Sequence, residues 1–292
     1  MKPAELCKNT YQHWEASLGA NSKIEWTTHT FNPWWGCTKV SEACKHCYAE
    51  TWAKRVGQDV WGPKQQRRTM SEAHWRQPLK WNREAAEQAT RPRVFCASMA
   101  DVFEDRDELI PHRERLFDLI EATPNLDWLL LTKRPQNVGR LAKWGDDWPK
   151  HVWLGTTVEL QSRAEELLPL LAQVPAKVRF ISAEPLLGPL AIEPWLGSTI
   201  NWVITGGESG PKARPACPKW FTELREQCTR HGVAFHFKQW GDWAPGDGHD
   251  LPARKRQVAD DGTMMVRIGK KAAGRLLGGI EHDGLPNLGN AY

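Results

Sequence analysis

Six short apolar runs recur through the second two-thirds of the chain, and their regular pitch restricts the fold more than any other feature. They are Val94–Ala97, Trp128–Leu131, Val152–Leu154, Val178–Ile181, Trp202–Ile204 and Val233–Phe237, and successive runs start 24 to 34 residues apart. Repeated βα units have this spacing. The runs are continuously apolar rather than alternating, as strands covered on both faces are. Helical patterns lie between them. Leu160, Ala164, Leu167, Leu168 and Leu171 make one stripe; Leu109, Leu116, Phe117 and Ile120 make another. A third helix is expected from Pro218, a residue suited to a first turn, with Phe221, Leu224 and Cys228 on its inner face. The reading is an α/β fold with a parallel sheet and helices outside it.

Polar residues follow each expected strand. Ser98 and Asp101 come after the first, Thr132, Lys133 and Arg134 after the second, and Thr156, Thr157 and Glu159 after the third. Glu184, Glu208 and Lys238–Gln239 follow the fourth, fifth and sixth. Parallel α/β folds bind ligands at the carboxyl ends of their strands, so these groups are expected to converge on one mouth. A charge pair between Lys238 and Glu208 across that mouth is one expectation, and contact of either with substrate is the other. Gly206-Gly207 reads either as close backbone approach to a ligand or as a tight turn.

Residues 1–92 lack this rhythm and carry a local signal instead. Cys37, Cys44 and Cys47 stand in the pattern C-x6-C-x2-C. Two sulfurs three residues apart can chelate one centre, and the six-residue arm can bring a third round to it. The chain has seven cysteines, an odd number, and its opening MKPAELCKNT has no apolar stretch of the secretory kind. Reduced thiols in the cytoplasm are therefore expected, and clustered ones there bind metal more often than they pair. No apolar run approaches the ~20 residues of a membrane helix. Structural zinc takes four protein ligands, which here would require His46 or Cys7 beside the three thiols. A [4Fe–4S] cube held by only three thiolates keeps one iron open to a substrate or cofactor. Both readings stand at this point.

The 17 tryptophans against three tyrosines read first as core and rim packing. The second reading makes Trp34–Trp35, Trp52, Trp61, Trp75 and Trp81, with the basic stretch Lys64–Arg68, a surface for nucleic acid. The net charge of +4 permits a phosphate-bearing partner without requiring one.

The sequence also resembles a known family. The resemblance rests on Ile24-Glu25-Trp26-Thr27, Asn32-Pro33, the loop Gly36–Glu50, Ser98-Met99-Ala100-Asp101-Val102-Phe103 and Leu131-Thr132-Lys133-Arg134-Pro135. It continues through Trp153-Leu154-Gly155, Val158-Glu159, Arg179–Leu187, Gly206–Gly210, Phe237–Gly241 and Gly274–Leu277. These segments resemble a phage- and prophage-associated family of proteins of unknown function named for a three-cysteine motif, itself similar to radical S-adenosylmethionine (SAM) enzymes. The resemblance implies an incomplete (β/α) barrel of the radical SAM type over residues 1–240, including the cluster loop 36–50. Residues 241–292 would form a small C-terminal extension packed on it.

It further implies a [4Fe–4S] cluster on Cys37, Cys44 and Cys47, SAM as second cofactor, and reductive cleavage of SAM to a 5′-deoxyadenosyl radical acting on a nucleic-acid or nucleotide substrate. Ser98, Asp101, Thr132, Lys133, Glu159 and Glu184 are the candidate cofactor-binding residues. Asp101 or Glu184 would take the SAM amino group, Lys133 or Arg134 its carboxylate, and Ser98, Thr132 or Glu159 its ribose. Glu208 and Lys238 are the candidate substrate-binding residues. The expected partners are that substrate, an electron donor such as a flavodoxin and a companion protein, with no membrane. Two features depart from the usual radical SAM pattern, whose first cysteine gap is three and whose residue before the last cysteine is commonly aromatic; here the gap is six and His46 holds that place. The competing reading is a non-enzymatic, zinc-stabilised nucleic-acid-binding phage protein. A zinc hydrolase is a weaker third, because no His-x-x-x-His pairing is present.

Overall fold

The computed structural model describes residues 22, 24–246 and 255–287. Its strands, in chain order, are β1 (His29–Thr30), β2 (Trp34–Trp35), β3 (Arg68–Thr69), β4 (Arg93–Cys96), β5 (Asp127–Thr132) and β6 (Val152–Thr157). They continue with β7 (Arg179–Ala183), β8 (Trp202–Gly206), β9 (Ala234–Gln239), β10 (Trp243–Pro245), β11 (Arg256–Val258) and β12 (Met264–Arg267). Strands β1-β4-β5-β6-β7-β8-β9 form one seven-stranded sheet in that order, every neighbour parallel. The sheet curls into a half-barrel whose ends, β1 and β9, do not meet. All six expected strands are present. The seventh, β1, is two residues long and carries no apolar run, so no periodicity marks it.

The three expected helices are also present, as part of a longer set: α1 (Tyr48–Arg55), α2 (Gln77–Glu87), α3 (Ile110–Glu121), α4 (Gln161–Ala172) and α5 (Pro218–Arg230). The βα alternation is less regular than the spacing suggested. Between β7 and β8 the chain makes only a 3-10 turn, Glu193–Trp195, and between β5 and β6 a 3-10 turn and a four-residue helix. The strand pitch survives because loops of similar length replace the helices.

Successive residues of each strand point to opposite faces of the sheet. On the outer face Val94, Cys96, Leu130, Leu154, Ile181 and Val203 pack with the helix residues Leu116, Phe117, Ala164 and Leu168. On the concave face Trp26, Phe95, Leu129, Trp153, Phe180, Trp202 and Ile204 form a separate cluster. Both faces are dry, which explains the unbroken apolar runs. Fully burying one such side chain contributes about 1.5–3 kcal/mol.

The concave cluster fills the lower part of the half-barrel and leaves the upper part open. Gly155 on β6 makes room for it: a Cβ there would lie 2.4 Å from the Phe180 ring. Further up the strands the inward residues become Leu131 and Lys133, Thr157, Ser182 and Glu184, and Lys238. An aromatic floor under a polar rim is thus built by the period-two alternation of six strands, β4 to β9. The C-terminal segment runs along the β9 side, where His282 O accepts from Phe237 N at 2.9 Å and Gly284 O accepts from Trp202 Nε1 at 2.8 Å. No described helix is long and apolar enough to cross a membrane.

Candidate metal centre

Above the aromatic floor lies a cleft with about 880 Å³ of unfilled space, part of it open to solvent. Cys37, Cys44 and Cys47 all line it, together with Ser98, Asp101, Thr132, Lys133, Glu184 and Lys238. The cysteine loop enters it from the end of β2. Glu42–Cys44 form a 3-10 turn, and Cys47 caps the N-terminus of α1. Burial raises the Cys47 thiol pKa, while the Ala49 and Glu50 amides of the first turn of α1 lower it. A sulfur at such a terminus faces the positive end of the helix.

Cys37 is held by charge. Burial, followed by the nearby Asp101 carboxylate, pushes its thiol up to about 12, and Arg134 opposes both. Arg134 Nη1 is 3.6 Å from Cys37 Sγ and 2.7 Å from Asp101 Oδ2, while its Nη2 donates to Thr38 O at 2.6 Å. Beneath this lies a fully internal pair: Arg67 Nε and Nη2 donate to Glu104 Oε2 and Oε1 at 2.9 and 2.8 Å. Glu104 Oε1 also accepts from Thr38 N at 3.0 Å. Two buried guanidiniums and two buried carboxylates therefore fix the arm that carries the first cysteine. None of these pairings was visible in the sequence, where Arg67 reads as one member of a basic stretch.

Six of the eight candidate binding residues meet in the cleft, but their hydrogen bonds divide them. Asp101 is saturated: Oδ1 accepts from Thr132 Oγ1 at 2.7 Å and Phe103 N at 3.0 Å, and Oδ2 accepts from Lys133 N at 3.0 Å and from Arg134. Thr132 Oγ1 is committed on both sides, since it also accepts from Arg134 N at 2.9 Å. Lys133 Nζ donates to Thr157 Oγ1 at 2.8 Å and has no carboxylate partner among the described residues. Thr156 and Thr157, expected beyond the third strand, are its last two residues. Ser98 Oγ accepts from Asn32 Nδ2 at 3.0 Å, and Asn32 Oδ1 accepts from Met99 N at 2.7 Å.

Lys238 pairs with Glu184, Nζ to Oε1 at 3.0 Å, and not with Glu208. Glu208 is instead clasped by Arg214, which reaches both carboxylate oxygens at 2.8 and 2.7 Å, and its Oε2 lies 3.2 Å from His46 Nδ1. Although burial works the other way, Arg214 and His46 hold the Glu208 carboxyl below its ordinary range. Glu159 is buried behind the cysteine loop, where Oε1 accepts from Ala43 N at 3.3 Å. Glu159 and Glu208 thus do not line the cleft. Both brace the loop from behind, Glu159 directly and Glu208 through His46. Gly207 is required by backbone packing: a Cβ there would lie 1.9 Å from Trp240 O.

The donor set offered by the described residues is three cysteines without a fourth. Cys96 is buried on the outer face of the sheet, and Cys217 and Cys228 are buried around α5, so no fourth described cysteine reaches the cleft. Tetrahedral zinc needs its sulfurs within about 2.3 Å of one point. Among the described residues no three His, Cys, Asp or Glu side chains are gathered closely enough to hold a single ion. A cube presents its irons at separate corners, so its thiolates need not converge in this way. Three thiols lining one cleft, with His46 engaged by Glu208, suit a group that takes three thiolates. Cys7, the other candidate fourth ligand, lies outside the described residues.

The tryptophans proposed as stacking surfaces are mostly core. Trp34, Trp35, Trp61, Trp75 and Trp81 are buried, and only Trp52 of that set is partly accessible. Arg67 is internal, and Arg68 lies over the Trp35 ring at 4.7 Å. Those five indoles and Arg67 are therefore packing residues, and Trp52 is the member of the set with an accessible face.

Residues 21–286 match the family model described as "Protein of unknown function (DUF5131)". No curated protein and no solved structure matches.

Proposed function

The chain belongs to the DUF5131 family, and on that premise we propose that it is a radical SAM-type iron–sulfur enzyme. One observation carries the reading: the three thiols of the C-x6-C-x2-C loop line a single cleft at the carboxyl ends of a parallel half-barrel, with no fourth cysteine among the lining residues. Cys37, Cys44 and Cys47 would hold a [4Fe–4S] cluster with one iron open to SAM. When bound, that pair supplies reductive cleavage of SAM to methionine and a 5′-deoxyadenosyl radical.

The remaining roles fall to the chain's own residues. Lys133, whose ammonium pairs with no carboxylate among the described residues, offers its charge to the SAM carboxylate. Glu184, steadied by Lys238 and by Ser182 Oγ at 3.2 Å, faces the same space and suits the amino group or a ribose hydroxyl. Asp101 is fully engaged and the Thr132 proton is committed to it, so both act as positioning residues, setting Lys133 and Arg134. Trp26, Phe95 and Met99 give the cleft apolar walls that exclude water from a reactive species. Reduced thiols suit the cytoplasm, and the resemblance to a phage- and prophage-associated family suits a nucleic-acid or nucleotide substrate.

Anaerobic purification with metal and sulfide analysis tests the reading. About four irons and four sulfides per chain, in a brown protein whose spectrum shifts on adding SAM, is the expected result. One tightly bound zinc and a colourless protein would replace it with the zinc-stabilised binding protein.

A further inference from the structure

A second groove opens beside the cleft and shares Lys39, Cys47, Tyr48 and Met99 with it. Helix α1 forms one wall and the loop Ser209–Lys212 the other. Its charge is one-sided: Lys39, Lys45, Lys54, Arg55 and Lys212 line it against a single carboxylate, Glu50. Glu50 is taken up by Lys39 and Lys54, at 2.6 and 2.7 Å. Lys45, Arg55 and Lys212 remain exposed with no acidic partner among the described residues. An excess of this kind along one groove attracts an extended polyanion more than a single phosphate.

The groove also has aromatic faces at its inner end. Tyr48 is 58% exposed, the most exposed aromatic side chain of the described residues, and its hydroxyl donates to Ser98 O at 3.0 Å. That bond fixes the ring at the rim the groove shares with the cleft. Trp52 lies one helical turn on, in the same wall. Cations alternating with flat apolar faces are the arrangement that binds single strands, whose bases expose faces that a duplex hides.

We propose that this groove carries a single-stranded nucleic acid, with its phosphates on Lys45, Arg55 and Lys212 and one base stacked on Tyr48 at the entrance to the cleft. The assignment rests on the enzymatic reading above and names its substrate class. A base at Tyr48 is one step from the cysteine-lined cleft, so the strand need not melt from a duplex at the site.

Fluorescence anisotropy of labelled single-stranded DNA and RNA oligonucleotides with the full chain, read across a salt series, tests it. Tight binding at low salt with a log–log slope of about −2 is expected, at roughly −0.7 per neutralised phosphate over three cations. The triple substitution Lys45→Glu, Arg55→Glu, Lys212→Glu should weaken binding at least about tenfold and flatten that slope. Tyr48→Ala should weaken it about fivefold or more while keeping the slope, and Tyr48→Phe should retain binding. Circular-dichroism melts of each variant separate lost contacts from lost folding. Salt-independent binding, equal affinity for duplex, an unaffected triple variant, or binding to anionic lipid vesicles alone would overturn the proposal. The readout needs neither cluster nor SAM. A chain that binds strands without holding iron contradicts the enzymatic reading alone, and one that cleaves SAM without binding strands contradicts the groove alone.

Discussion

Arg134 stands between Asp101 and Cys37, with one nitrogen, Nη1, 2.7 Å from the carboxylate and 3.6 Å from the sulfur. The carboxylate anchors the guanidinium, and the guanidinium is the principal charge that favours ionised sulfur at this position. Metal ligation requires the thiolate. Arg134→Gln should therefore lower the iron retained after anaerobic reconstitution, while Arg140→Gln, which breaks only an exposed pair with Asp105, should retain it. Iron and sulfide assays on the two variants check the difference.

The Arg67–Glu104 pair is buried on both sides, at 1% and 4% exposure. Removing one partner leaves an unpaired interior charge, and such losses run to about 3–5 kcal/mol. Glu104→Gln should lower the unfolding free energy obtained from urea titration by an amount in that range, whereas Glu72→Gln, which breaks the exposed Arg115 pair, should leave it nearly unchanged.

Gly155 gives way to the Phe180 ring inside the half-barrel. Gly155→Ala should destabilise the protein by about 1–3 kcal/mol, the usual cost of overpacking. The smaller side chain in Phe180→Leu should recover part of the loss in the double variant. Thermal melts of the four-member cycle measure it.

Acid sensitivity has a predictable order. Burial lowers the pKa of His151 and of His236 from the ordinary 6.5. The unfolded chain takes up those protons near 6.5 and the folded chain resists them. Stability is thus full above 6.5 and falls as the pH drops below it. Glu208 works lower down: its depressed carboxyl contributes stability above the ordinary 4.5, lost as the pH falls through the folded value. The melting temperature should decline first below pH 6.5 and again below 4.5. His151→Gln should flatten the first decline and Arg214→Met the second.

Strands β4 to β9 were legible because burial on both faces writes an unbroken apolar run, a signal that depends on no partner. The three cysteines were legible because their spacing is local. What holds them was not. Arg134 meets Cys37 across 97 residues, Arg67 meets Glu104 across 37, and Asn32 meets Ser98 across 66. A charged side chain looks the same in sequence whether it is solvated or interior, so Arg67 passed for surface charge and Glu208 for a cleft residue. The tryptophans misled for the converse reason: an indole suits a stacking surface and a core equally, and only the packing of Trp34, Trp75 and Trp81 decides. Strand β1 lacked any run long enough to mark it.

The central claim is that the Cys37, Cys44 and Cys47 cleft cleaves SAM. The direct measurement is the 5′-deoxyadenosine and methionine formed when the anaerobically reconstituted protein is reduced with dithionite in the presence of SAM, set against Cys37→Ala treated identically. Equimolar formation of both products by the unaltered chain, and none by the variant, is the predicted result. An iron-loaded protein that yields no more 5′-deoxyadenosine than Cys37→Ala would contradict it.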